Sequence, residues 1–215
     1  MGLVYCNALR VGPTAGPWRT CMDASPSHGP VNFESLIREQ CTVLTSFTVV
    51  RRQAVLDAGL FDPNLLRSED FDLWLRMAHR GVSMAYHQTV LGERTLREEG
   101  LSADRDALRE AQIAVYNKLL SKLDLSSEQA SLLRRETARC EAILQLDKGK
   151  DHLISRRYPT AAVAIRQANT FYHRPHLRAT LILLGIIPWA VRSIYVMSLR
   201  LRRAIHALRR SLLRF

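Results

Sequence analysis

The run from Arg51 to Gly81, with Ser68-Glu69-Asp70 at its centre, restricts what this chain can become more than any other stretch. Phe71, Trp74, Leu75 and Ala78 recur at three- and four-residue intervals, with Asp72, Arg76 and Arg80 on other faces. That period predicts an amphipathic helix with one apolar stripe turned to a core. Ser68 stands at the N-cap position, so Glu69 and Asp70 fall in the first turn. Free backbone amides and the positive end of the helix dipole stabilise negative charge there. On spacing alone the commoner reading is a capped surface helix, because acidic first turns are frequent.

The residues before the helix add to that reading. Cys41 to Val50 is apolar and β-branched and reads as a buried strand that carries Thr45 and Ser46. Arg51-Arg52 ends it, QAVLDAG reads as a short helix, and Gly59-Leu60-Phe61-Asp62 follows. Arg51, Arg52, Gly59, Phe61 and Asp62 thus precede Glu69, Asp70, Asp72, Leu73, Trp74, Leu75 and Arg76 at defined intervals. In this order the stretch resembles the acceptor-side half of family 2 glycosyltransferases (the GT-A fold), with R-R, then G-x-F-D, then E-D-x-D-L-W-L-R. The resemblance covers roughly residues 1 to 120.

The resemblance implies an α/β fold: a partial GT-A, Rossmann-like sheet with flanking helices, followed here by an all-α C-terminal extension. It implies sugar transfer from a nucleotide sugar to a hydroxyl acceptor. Asp70 would be the base, Glu69 its orienting partner, Trp74 a substrate-binding residue and Arg94 a contact to the diphosphate. A sugar hydroxyl is a poor nucleophile at neutral pH, and a carboxylate within hydrogen-bond reach removes its proton as the new bond forms. A divalent metal, Mg or Mn, is expected in the complete family member. No ligand set for it stands out, since Asp70-Phe71-Asp72 has the Asp-x-Asp spelling but lies in the acceptor motif. Leu96 occupies a position where some members carry a metal-binding His, and His87 is a weak substitute. The strand at Gly2 resembles one from the middle of a GT-A domain. An N-terminally truncated chain is therefore expected, with an open sheet edge suited to self-association or to a separate donor-binding half.

Along the rest of the chain, Gly2 to Val11 reads as a strand and residues 12 to 32 as a long Gly/Pro/Ser/Thr-rich loop. Trp18 and His28 in that loop are candidate sugar-site residues, although packing anchors or exposed groups are the commoner fate of such side chains. Phe33 to Gln40 fits one or two helical turns, and Val82 to Leu91 a further strand before a polar turn at Gly92-Glu93-Arg94. A helical pattern opens at Ser102-Ala103-Asp104 and runs through Leu123. Asp124 to Ser127 breaks and re-caps it, a second helix continues to about Lys150, and Tyr158 to Ala168 is a third. Three segments follow from this: a glycosyltransferase-like domain over 1–122, a helical hairpin resembling a single tetratricopeptide unit over 123–175, and a basic amphipathic C-terminal helix over 176–215.

Charge is unevenly placed. Of 31 Lys and Arg, 12 lie after Asp151, where there is no Asp or Glu, leaving 19 basic against 20 acidic residues over 1–151. The apolar run before Arg192 is too short for the roughly 20 residues that span a bilayer, and Pro188 interrupts it. Residues 177–215 therefore read either as a helix lying on an anionic membrane surface or as a soluble helix packed on the hairpin. A non-catalytic membrane-surface or partner-binding protein is the alternative function. Nucleic acid is the weakest partner, because no recognition motif accompanies the basic tail. The start has no signal-peptide pattern, and Cys6, Cys21, Cys41 and Cys140 lack metal-site spacing. Free buried thiols and a cytoplasmic location, with peripheral attachment at the inner membrane face as one form of it, are the expectation.

Overall fold

The computed structural model describes the chain apart from residues 14, 16–18, 98–103 and 213–215, and apart from the side chains of 202, 203 and 206–212. It divides into two compact units, Met1–Thr137 and Ala138–Phe215.

The first unit is built on β1 (Leu3–Val11), whose Leu3, Tyr5 and Ala8 are buried. β2 (Thr48–Val50) pairs antiparallel with it, Leu3 opposite Val50. β3 (Met84–Thr95) pairs parallel on the other side, from Leu3 opposite Met84 to Arg10 opposite Arg94. The result among the described residues is a mixed three-stranded sheet, β2-β1-β3, with helices around it. The register slips on either side of Asn7. There the Asn7 carboxamide oxygen accepts from the Ala8 and Met22 amides at 2.9 and 3.0 Å. A side chain so replaces ladder bonds that an irregularity removes, and ties down α1 (Cys21–Ala24).

Two expected strands differ from the sequence reading. Of Cys41 to Val50 only Thr48–Val50 is strand, and Val49 is exposed. Thr45–Phe47 instead forms a 3-10 turn, and an edge strand buries one face at most. β3 does not end at Leu91 but runs to Thr95, because Gly92 has no side chain to collide with the Phe47 ring that lies against it.

α2 (Phe33–Ile37) is closed by a reciprocal Asn32–Ser35 capping box and buries Phe33, Leu36 and Ile37. α3 (Arg52–Asp57) follows β2. α4 (Glu69–His79) buries Leu73, Trp74, Leu75 and Met77, so its apolar face is broader than the period suggested. Asp72, read as a residue of the polar side, is fully buried. Ser68 occupies the N-cap position in a left-handed conformation, φ 58°, and its side chain makes no cap hydrogen bond. α5 (Arg105–Lys122) begins at Asp104, whose carboxylate accepts from the Ala107 amide at 3.0 Å, and buries Val115, Tyr116 and Leu119.

The break at Asp124 to Ser126 is as read from the sequence. Ser126 Oγ accepts from the Gln129 amide at 3.1 Å and α6 (Ser127–Ile154) starts there. The compact unit nevertheless continues past residue 122 into α6, because Leu132 and Leu133 are buried in it.

In the second unit α7 (Tyr158–Tyr172) folds back on the end of α6. Gly149 permits the approach, since a Cβ there would stand 2.8 Å from Ile165 Cγ1. The C-terminal segment is two helices rather than one, α8 (Pro175–Ile186) and α9 (Pro188–Leu212). Pro188 suits the first turn of a new helix and cannot continue the old one. These helices are not a domain apart. Leu177 and Leu184 of α8 share a core with Leu153, Ala161 and Ile165, and Val191 and Tyr195 of α9 pack on it. Among the described residues no helix is long and apolar enough to cross a membrane.

Candidate functional site

A cavity of about 520 Å³ opens in the first unit, a size typical of small-molecule sites. Ala24, Ser25 and Pro26 form one part of its wall, Glu39 and Cys41–Val43 another. Ser68, Asp70, Phe71 and Trp74 come from the start of α4, and Leu108 and Gln112 from α5.

Asp70 is held from both sides. Its Oδ2 accepts from the Thr45 hydroxyl at 2.5 Å, and its Oδ1 from the Phe71 amide at 2.7 Å. The Trp74 indole N–H in turn donates to Thr45 Oγ1 at 3.4 Å. A chain of donors thus runs from indole to hydroxyl to carboxylate, each polarising the next. An ionised carboxylate accepts at about four lone-pair positions, so two remain for a ligand hydroxyl. Phe61 stands edge-on to Trp74 at 6.4 Å between ring centroids.

Across the cavity Glu39 accepts from Arg109 at 3.0 Å and from Gln112 Nε2 at 2.9 Å. Gln112 also donates to the Tyr116 hydroxyl at 2.8 Å, which donates to the Ile37 carbonyl at 3.1 Å. Glu39 and Ser68 both have positive φ, 57° and 58°. Non-glycine residues in that region cost about 1–3 kcal/mol and collect at ligand sites.

A second charge cluster holds the first in place. The Asp72 carboxylate receives Arg76 Nε and Nη2 on Oδ2 at 2.9 and 2.7 Å. Lys118 Nζ lies 2.9 Å from each Asp72 oxygen and donates to Oδ2, so Oδ1 feels its charge without a directed hydrogen bond. The same ammonium reaches Asp62 Oδ2 at 2.6 Å. The Lys118 hydrogen bond, helped by bonds from Asn64, pulls the Asp62 carboxyl down to about 2. Arg76 also donates to the carbonyls of Ala58 and of Leu60, the latter at 2.7 Å. Arg76 and Lys118 therefore fasten the Gly59-Leu60-Phe61-Asp62 turn to α4 and α5. Much of the motif that stands out in the sequence works as scaffold for Asp70.

Of the residues singled out from the sequence, Asp70 and Trp74 line the cavity. Glu69 is half-buried on the same turn but is not part of the lining. His28 is exposed and outside it, in a loop pinned by the Cys41 thiol on the His28 carbonyl at 3.4 Å. The buried Tyr5 hydroxyl, 2.6 Å from Ser27 Oγ, anchors the same loop, and burial pushes that phenol up to about 12. Arg94 sits on β3 opposite Arg10 and is not part of the lining, and His87 is exposed. Trp18 lies outside the described residues. Thr45, Glu39 and Gln112 carried no signal beyond their polarity, because their neighbours are distant in the chain.

The Asp70-Phe71-Asp72 spelling does not make a metal site. Asp70 faces the cavity, while Asp72 is buried on Arg76 and Lys118, so the two carboxylates cannot share an ion. Among the described residues no group of three or more His, Cys, Asp or Glu side chains is placed to hold one. No family model, curated protein or solved structure matches the chain.

Proposed function

We propose that this chain is the acceptor-side part of a family 2-like glycosyltransferase, in which Asp70 is the base for sugar transfer from a nucleotide sugar to a hydroxyl. The observation that carries the reading is the Asp70 carboxylate on the wall of a sugar-sized cavity, oriented by Thr45 and with acceptor capacity to spare. In the step proposed, an acceptor hydroxyl in the cavity donates to Asp70. Its oxygen bonds to the anomeric carbon as the proton passes to the carboxylate. The bond from that carbon to the nucleotide diphosphate breaks, and the electron pair leaves with the diphosphate. The polar wall carries the Glu39 carboxylate and the Gln112 amide oxygen beside the other hydroxyls of the acceptor, and the buried Trp74 backs the wall by holding Thr45.

Nucleotide-sugar transfer, measured on this chain and on any longer polypeptide containing it, tests the reading. Asp70→Asn keeps the size and the Thr45 contact but removes the base, so turnover falls by at least about 100-fold with the fold intact. Undiminished turnover removes Asp70 from the mechanism.

A further inference from the structure

The second unit carries an apolar surface that its own core does not use. Ile182 and Ile186 on α8, and Trp189, Ile194, Met197 and Leu201 on α9, are each 62–70% exposed. On α9, Ile194, Met197, Leu201 and the exposed Ile205 recur at three- and four-residue intervals, which puts them on one face. Val191 and Tyr195 lie about a quarter to a third of a turn round the helix from that row, packed on the core that holds Leu177 and Leu184. Arg200 lies about a quarter turn from that row on the side away from the core contact, while Arg192 lies opposite the row, where its Nε donates to the Ile154 carbonyl at 2.9 Å. An exposed apolar row flanked by Arg200, on a helix not apolar enough to span, has the form of a helix that lies in a membrane interface.

Charge selects the occupant. From residue 152 to the end there are 12 arginines and no Asp or Glu. A second copy would bring the same charge against it, and nucleic acid would meet apolar side chains at the centre of the face. An anionic bilayer satisfies both features, taking Ile, Met, Leu and Trp side chains below the headgroups and arginines among the phosphates. We propose that the second unit docks on an anionic lipid surface through the exposed faces of α8 and α9, with α9 lying in the plane of the interface. This proposal does not depend on the sugar-transfer reading.

The test is flotation of the whole chain with vesicles of phosphatidylcholine alone, or with about 30% phosphatidylserine, at about 0.1 M salt and above. The chain floats with the anionic vesicles, stays unbound with the neutral ones, and is released as salt rises. Ile194→Glu with Leu201→Glu lowers the partition coefficient by about a hundredfold, tenfold for each apolar side chain kept from lipid, while helicity is retained. Should the double variant lose its helix, brominated lipid decides. It quenches the native chain, and the quenching is reduced in Trp189→Phe. Equal recovery in the unbound fraction with both vesicle types, or an unchanged partition of the folded double variant, overturns the proposal. So does a lipid-free dimer that the double variant dissociates and that does not float.

Discussion

Replacing Lys118 by methionine tests the scaffold that positions the candidate base. The change keeps most of the aliphatic stem and removes the ammonium that lies 2.9 Å from buried Asp72 and 2.6 Å from Asp62. Removing one partner of a buried pair costs about 3–5 kcal/mol when it leaves the other charge unpaired. Here Arg76 still holds Asp72 Oδ2 through two nitrogens, and the Asp62 contact lies near the surface, where ion pairs contribute little. About 2 kcal/mol is therefore expected, equivalent to a fall of roughly 6 °C in Tm for a unit of this size. Urea unfolding followed by Trp74 fluorescence, in a chain whose Trp18 and Trp189 are phenylalanine, reads the first unit directly. Asp72→Asn in the same background closes a double-mutant cycle, in which the coupling should exceed about 1 kcal/mol. A loss below about 0.5 kcal/mol, or a gain in stability, refutes the view that Lys118 neutralises Asp72.

Three further outcomes are expected. Thr45→Ala removes the hydroxyl that orients the Asp70 carboxylate and so lowers the transfer rate about 10- to 100-fold in a kinetic assay, while the melting curve moves little because the bond lies at an exposed site. Gly149→Ala forces a Cβ against Ile165 and destabilises the second unit by about 1–3 kcal/mol, seen in its thermal unfolding. The Asp62 carboxyl is pulled down in the fold from 3.8 to about 2, so its contribution is present above the unfolded value and is lost as pH falls through the folded one. The urea midpoint should drop on acidification over that window, and by less in Asp62→Asn.

Local signals in the sequence were legible where the physics is local. The acidic first turn and apolar stripe of α4, the Asp124–Ser126 break and the short α3 all follow from neighbours within about four residues. Cys41 to Val50 was not legible, because β-branched composition does not tell a buried strand from a 3-10 turn leading to a short edge strand. Asp72 misled for a different reason. Its cations are Arg76, one turn away, and Lys118, 46 residues away on another helix, and no period reveals the second. The candidate site divides in the same manner. Asp70 and Trp74 were readable as part of a motif, but Thr45, Glu39 and Gln112 join them only through the packing of α4 and α5 against the loops after β1.

The account rests on Asp70 meeting an acceptor hydroxyl. A crystal structure of the chain soaked with a simple glycoside measures that directly. The expected result is a sugar in the cavity with one hydroxyl oxygen about 3 Å from the Asp70 carboxylate and others facing Glu39 and Gln112. A glycoside bound with no hydroxyl within reach of Asp70, or bound only outside this cavity, contradicts it.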